Sequence, residues 1–368
     1  MEDAATLVTL ARMDLGKRLA NAGLIVVSVA VSLLLIELAF RLAMGLPLLK
    51  VEDWRMQRLT DARLGEHAQF DPLLGWVPRA NYASREHNTL EHGVRRNGSE
   101  RSVRPGHILA VGDSFTEGWD VDDDEAWPAQ LEVLSGIPVV NAGVGGYGTD
   151  QIVLRAEQLL PVVRPHTLIV GMLSFDIHRT GHAAYGASKP WFTVQRGELV
   201  YHPPSPPEAR AKPTTWLSIK WAVRDLFAHF AVIDFIMARL DQDFWYGGEK
   251  REYVKANNDP VQVTCLLLER LKKQADAMQV RTLLFMQYYA LDVIEKDQQP
   301  ADARQVMTCA GQAGYEVVDH FASLRVLARS NANAMRDYYI VEEDAFHHMS
   351  EQGNEHAAAL LLRALRRE

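Results

Sequence analysis

Cysteine is nearly absent from this chain: Cys265 and Cys309 are the only two among 368 residues. Two thiols are too few for the disulfide framework of a small secreted scaffold, and both read as core or free thiols in helical stretches. Long basic runs are missing as well. Lys+Arg number 39 against 47 for Asp+Glu, a formal charge of -8. The basic face that nucleic acid selects is therefore lacking, and no nucleic-acid partner is expected. There are no internal repeats and no low-complexity tracts. With 48% hydrophobic and 23% charged residues, the composition is that of a folded globular chain, which excludes disorder, collagen-like repetition and a polytopic membrane protein.

Long apolar runs are limited to one. LANAGLIVVSVAVSLLLI, residues 19–36, carries no charge, and the apolar character resumes past Glu37 to about residue 44. A helix needs about 20 apolar residues to cross a bilayer core. Glu37 lies near the far end, within reach of headgroups. A cleavable signal peptide has a shorter apolar core of about 7–15 residues, so the run reads as an uncleaved single-pass anchor. The expected layout is a tail over 1–18, an anchor over 19–44, a juxtamembrane lead-in over 45–105 and a larger domain over 106–368. Lys17 and Arg18 precede the run and Arg41 follows it. That distribution places the N-terminus in the cytoplasm and the C-terminal domain in the periplasm or another extracytoplasmic space.

From His107 the pattern becomes regular. HILAVG, IPVVN, HTLIVGML, RTLLFMQYY and YEVVDHF are short apolar runs, and helix-compatible stretches such as AWPAQLEVLSG and IVLRAEQLLPVV alternate with them. Strands buried on both faces and interleaved with helices predict a parallel sheet in an α/β domain. An insertion at about 179–260 interrupts the alternation. Its PWFTVQRGELVYH predicts a hairpin turning at Arg-Gly, and WLSIKWAVRDLFAHFAVIDFIMARL an aromatic-rich helical segment. Such an insertion serves as a lid or as a structural cap.

In an open α/β sheet, ligands bind beyond the C-terminal ends of the strands. Three loops there stand out. Gly112-Asp113-Ser114 puts a hydroxyl directly after a strand, beside backbone N–H groups able to hold an oxyanion. Asn141 through Thr149 holds four glycines, which allow close backbone approach; its Gly-x-Gly-x-x-Gly spacing is a lone match and implies no cofactor. Near the C-terminus, Asp344-Ala345-Phe346-His347-His348-Met349-Ser350 offers a base and a carboxylate to orient it, as a serine nucleophile requires. His178 and His182 lack a third ligand, so no metal is expected. The acidic run from Asp120 to Glu125 reads as a solvated turn before a helix.

Taken in order, these blocks resemble the SGNH (GDSL-type) hydrolase superfamily, over about residues 105–368. The resemblance implies a three-layer α/β/α flavodoxin-like fold. It makes Ser114 the nucleophile, the Ser114 and Gly146 amides the oxyanion hole, and Asp344 the orienter of the histidine base. His347 satisfies Asp-x-x-His literally, whereas His348 has the usual step to Ser350 and is favoured. The third block departs from the pattern. Gly171-Met172-Leu173-Ser174-Phe175-Asp176 places Phe175 where the family carries an asparagine donor, a loss worth about 10²–10³ in rate. That leaves Ser174, or the two amides alone, to complete the hole, and gives Asp176 a structural role. The implied activity is ester hydrolysis on an O-acylated small molecule, glycan or lipid. The alternatives are acyl transfer through the same intermediate and a non-catalytic scaffold or glycan-binding role.

Overall fold

The structure is a computed structural model. It describes residues 2–49, 66–84, 87–98, 102–103, 107–206, 226–240, 252–331 and 333–367, with positions 51, 54, 58, 223, 224 and 245; for residues 2–20 it describes the backbone alone. The chain divides into two compact units, residues 1–59 with 210–249, and residues 60–209 with 250–368.

The second unit is built on five strands: β3 (Ile108–Gly112), β4 (Val139–Asn141), β5 (Thr167–Leu173), β10 (Arg281–Gln287) and β11 (Glu316–Asp319). They form one all-parallel sheet in the order β11-β10-β5-β3-β4. This is the flavodoxin-like order expected from the sequence, and each of the five apolar runs supplies one strand. β3, β4 and β5 are buried along their whole length, as continuous apolar runs in a sheet covered on both sides must be. Right-handed crossovers then fix the layers. The chain leaves β3 for β4 in one direction, through the helix Trp127–Ser135. It returns past β3 to β5, β10 and β11 in the other, through Thr149–Val163, Pro260–Ala277 and Ala301–Ala313. The first helix therefore covers one face, where Glu351–Leu365 packs against it, and the other three share the opposite face. Pro260–Ala277 shows how the sequence directs this. Asp259 accepts from the Val261 and Gln262 amides, Pro260 opens the first turn, and Val263, Leu267, Leu271 and Ala275 form one buried stripe.

The lead-in does not stand apart as expected. β1 (Ala68–Asp71) and β2 (Gly75–Pro78) form an antiparallel hairpin. Leu74, Trp76, Val77, Leu90 and Val94 belong to the same hydrophobic core as the sheet, and Arg95 bridges Asn141 beyond the β4 edge. The insertion is likewise split. β6 (His182–Ser188) pairs with β9 (Glu252–Lys255), and β7 (Trp191–Gln195) with β8 (Glu198–His202). The latter turn at Arg196 and Gly197, both at positive φ, as tight hairpins require. The fully buried Lys189 ammonium, held by Asp150, ties this part to the helix Thr149–Val163. The remainder of the insertion belongs to the other unit. Its stretch from Trp216 to Trp221 lies outside the described residues.

The first unit consists of one long helix, Glu2–Ala43, and a shorter one, Ala231–Leu240. The expected tail and anchor thus form one continuous helix. Its Asn21–Ala43 portion is long and apolar enough to cross a membrane.

The reading of the cysteines is corrected. Cys265 and Cys309 form a disulfide linking Pro260–Ala277 to Ala301–Ala313. Periodicity locates both residues in helices, yet only the packing of those helices brings their Cα atoms to 5.8 Å. A bridge closing a loop of this size, 44 residues apart in sequence, contributes about 4 kcal/mol by restricting the unfolded chain. Alkylation of the denatured chain with a mass-tagged maleimide is expected to shift it by two tags after reduction and by none before. The Cys265→Ser/Cys309→Ser variant is expected to melt several degrees lower. Two reactive thiols in the unreduced chain would contradict the bridge.

Candidate active site

The strand order reverses around β3, and the loops at the C-terminal ends of β3, β4 and β5 meet there, as the fold requires of a ligand site. The β3 loop enters a single helical turn, Ser114–Glu117, whose N-cap Asp113 accepts from the Phe115 amide. The turn lies flat against the β4 loop because Gly143 carries no side chain. A Cβ there would come within 2.2 Å of the Glu117 nitrogen. Gly118 ends the turn at φ 83, and a Cβ on it would sit 2.9 Å from the Arg95 guanidinium.

Ser114 Oγ lies 2.9 Å from His348 Nε2, and His348 Nδ1 lies 2.8 Å from Asp120 Oδ2. With Nδ1–H donating to the carboxylate, Nε2 is left to accept from the serine hydroxyl. The choice between the two histidines follows from backbone geometry. β13 (Ala345–Met349) is extended, so successive side chains face opposite ways. His348 turns towards Ser114 while its neighbour His347 stays exposed at the rim of the same cavity.

The expectation for Asp344 is corrected. Glu343 and Asp344, both at positive φ, form the turn between β12 (Tyr339–Glu342) and β13. The Asp344 side chain is 88% exposed and pairs with Arg336 at 3.1 Å. His348 lies four steps further along the chain, about 13 Å of strand, beyond a carboxylate's reach. Asp120 lies beside His348 instead; the acidic run is a turn ahead of a helix with Asp120, Asp122 and Asp124 exposed, as expected, but it is more than solvated. Its members have separate partners: Asp120 meets His348, while Asp123 is buried against Arg95 and Arg96.

Arg95 explains how Asp120 is held. Its guanidinium is buried and donates to the carbonyls of Glu117 (2.8 Å), Val121 (2.6 Å) and Gly118, and to Asp123 Oδ1. The loop carrying Asp120, itself at φ 71, is thus wrapped around one cation. Nothing in the local sequence pairs residue 95 with residues 117–123. The signal available was a charged residue flanked by another, Arg95-Arg96, ahead of an acidic run.

A cavity of about 530 Å³ opens over Ser114. Gly146 and Arg179 line it, as do six aromatic side chains: Trp76, Trp119, Tyr185, Tyr253, Tyr289 and Phe346. The Ser114 and Gly146 amides, expected as the oxyanion hole, both belong to residues on this wall. Trp76 Nε1 donates to the Gly145 carbonyl at 3.1 Å, bracing the glycine loop. Neither Ser174 nor Phe175 lines the cavity. The Ser174 hydroxyl donates to Asp292 at 3.4 Å, and the Phe175 ring lies against the Arg179 guanidinium at 5.4 Å. Arg179 Nη1 in turn donates to Asp113 and Asp176. Burial, and the nearby Asp113 carboxylate, raise the Asp176 carboxyl well above its usual range, against the pull of Arg179. Asp176 also accepts from the Leu173 amide at 2.8 Å, in keeping with a structural role. His182 Nδ1 pairs with the His178 carbonyl, and no group of three or more metal-ligating side chains occurs among the described residues.

No family model and no curated protein matches the chain. Solved structures do align with it. One is a protein ascribed to the G-D-S-L lipolytic family from Desulfitobacterium hafniense (14% identity, 70% of this chain and 98% of that one, TM-score 0.38). Another is a catalytic mutant of an acetylxylan esterase from Geobacillus stearothermophilus (13% identity, 72% and 96%, TM-score 0.42). A third is an esterase from Pseudoalteromonas (11% identity, 71% and 97%, TM-score 0.39). Strand order and the meeting of the serine, glycine and histidine loops decide the fold class. The fold is a flavodoxin-like α/β domain.

One buried carboxyl of this fold is raised far above the usual carboxylate range. Glu117 accepts from the Gly145 amide at 2.7 Å, and His87 Nε2 lies 3.4 Å away. Burial pushes its carboxyl up to about 7, opposed by Arg95 and the Gly145 amide and reinforced by Asp113. A carboxyl raised in the folded state stabilises the fold below its unfolded value of 4.5 and loses that contribution as pH rises through 7. The shift corresponds to about 3 kcal/mol. Denaturant melts of the parent and Glu117→Gln are therefore expected to show the parent losing stability relative to the variant between pH 4.5 and 7. His87 is lowered to about 4, by burial first and by Arg95 and His67; it titrates in both proteins and largely cancels in the difference. Parallel profiles would contradict the buried carboxyl.

Proposed function

We propose that the chain is a membrane-anchored serine ester hydrolase of the SGNH type that acts through Ser114, His348 and Asp120. The observation that carries this is the unbroken path from the Ser114 hydroxyl through both imidazole nitrogens to the Asp120 carboxylate. In this reading Ser114 Oγ attacks the acyl carbon of an ester as its proton passes to His348 Nε2. Asp120 holds the imidazole in the required tautomer and offsets the charge that forms on it. The Ser114 and Gly146 amides receive the oxyanion. His348 then returns the proton to the departing alcohol, and a water activated by the same histidine releases the acid. The aromatic wall fits the apolar faces of a sugar or an acyl chain, which supports an O-acylated glycan or lipid as substrate.

Glu37 and Arg41 bind the segment 229–232, so the N-terminal helix is part of the folded unit. This supports a retained anchor over a cleaved leader. The disulfide supports an oxidising, extracytoplasmic location for the catalytic unit. Acyl transfer to a sugar hydroxyl is the second reading. It is favoured by Tyr185 and Tyr253 of the insertion, which add a wall where an acceptor could bind.

The full chain in detergent is expected to react with a fluorophosphonate probe, and Ser114→Ala is not. Asp120→Asn is expected to lower ester hydrolysis by about 10⁴-fold, while Asp344→Asn leaves it unchanged. The reverse ranking of the two aspartates would restore Asp344 as the orienter. An absence of labelling in a folded parent would favour the non-catalytic role. Product analysis with a sugar acceptor present separates transfer from hydrolysis.

A further inference from the structure

The helix Ala231–Leu240 is amphipathic in the wrong sense for a water-exposed surface. Asp234 is buried, accepting from Trp245 Nε1 at 2.8 Å and pairing with Arg58 at 3.1 Å. Ala228 and Ala231 are buried beside it. Leu226, Phe227, Phe235, Ile236 and Leu240, by contrast, are exposed, Leu240 to 75%. A soluble protein turns such a helix the other way round.

The contacts of this helix fix its position along the N-terminal one. Glu37 accepts the Ala231 and Val232 amides at 2.6 and 3.1 Å, and Arg41 donates to the His229 carbonyl at 2.7 Å. The Phe235 ring meets Phe40 edge-on at 5.4 Å. Glu37 lies six residues before Ala43, where the apolar portion ends, about 9 Å along the helix axis. Helices that lie in a bilayer interface sit about 5–10 Å deep, with aromatic and aliphatic side chains inward and cations at the headgroups. Arg239 supplies such a cation, stacked on Phe235 at 3.5 Å. The same docking satisfies the Glu37 carboxylate, which would otherwise be costly within an apolar span.

We propose that residues 226–240 form a second membrane contact: a helix sunk into the bilayer interface beside the exit of the N-terminal helix, its exposed apolar face covered by lipid. This rests on the N-terminal helix being a membrane span and is independent of the chemistry at Ser114. The test uses the full chain, its native cysteines held in the disulfide, reconstituted into phosphatidylethanolamine/phosphatidylglycerol vesicles. A spin label is placed singly at Leu33→Cys, Ile236→Cys, Leu240→Cys or Val133→Cys, all exposed positions, and its collisions with oxygen and with a nickel chelate are compared. Labels at 236 and 240 are expected to favour oxygen as the label at 33 does, while that at 133 favours nickel. Lipid-like values at 33 with water-like values at 236 and 240 would overturn the proposal and leave the span intact. Occlusion from both reagents at 236 and 240 would overturn it in favour of a protein partner. Water-like values at 33 would overturn the span itself, and the proposal with it.

Discussion

A single buried guanidinium organises the site. Arg95 spends its donors on three carbonyls and one carboxylate of the 117–123 loop. An arginine taken out of water is tolerated only when its donors are so satisfied, and removing it would strand the acceptors in a dry interior. The surroundings of Ser114 follow from that loop. It ends the helical turn that begins at Ser114, it carries the carboxylate that meets His348, and through Glu117 it holds the Gly145 amide. The lead-in segment is therefore a structural part of the candidate site, supplying both Arg95 and Trp76.

The second constraint is the strand character of the C-terminal hairpin. A base and its orienting carboxylate can come from one irregular loop, but here β13 is extended up to Met349. An extended chain carries Asp344 away to the tip and leaves His348 to find a carboxylate from another element. The same alternation that separates Asp344 from the site selects His348 over His347. The hydrogen-bonded path from Ser114 through His348 to Asp120 is thus assembled across 228 residues of sequence between Asp120 and His348, with no short motif to announce it.

The third-block position shows a different exchange. Phe175 gives up a hydrogen-bonding side chain for a ring stacked on Arg179, whose guanidinium is anchored by Asp113 and Asp176. Arg179 and Tyr289 line the cavity there. The wall at this point is thus built from a cation braced by two carboxyl groups and by aromatic rings.

The fold was legible in the sequence because it rests on local periodicity. Five short apolar runs, alternating with amphipathic helices, dictate a parallel sheet whatever the side-chain details. Ser114 and the glycine loop were legible for the same reason, since each sits directly after a strand. The partners of those residues were not. Asp120 reads as one of several solvated acids, Arg95 has no local partner in the sequence, and the two cysteines read as separate thiols. What made them a partner of His348, a buried brace and a disulfide was proximity in the folded chain, and sequence alone records spacing along the chain rather than distance through space. Local sequence pattern determined the architecture, the apolar N-terminal helix and the position of Ser114; tertiary packing alone decided which histidine, which aspartate and which sulfur atoms would meet.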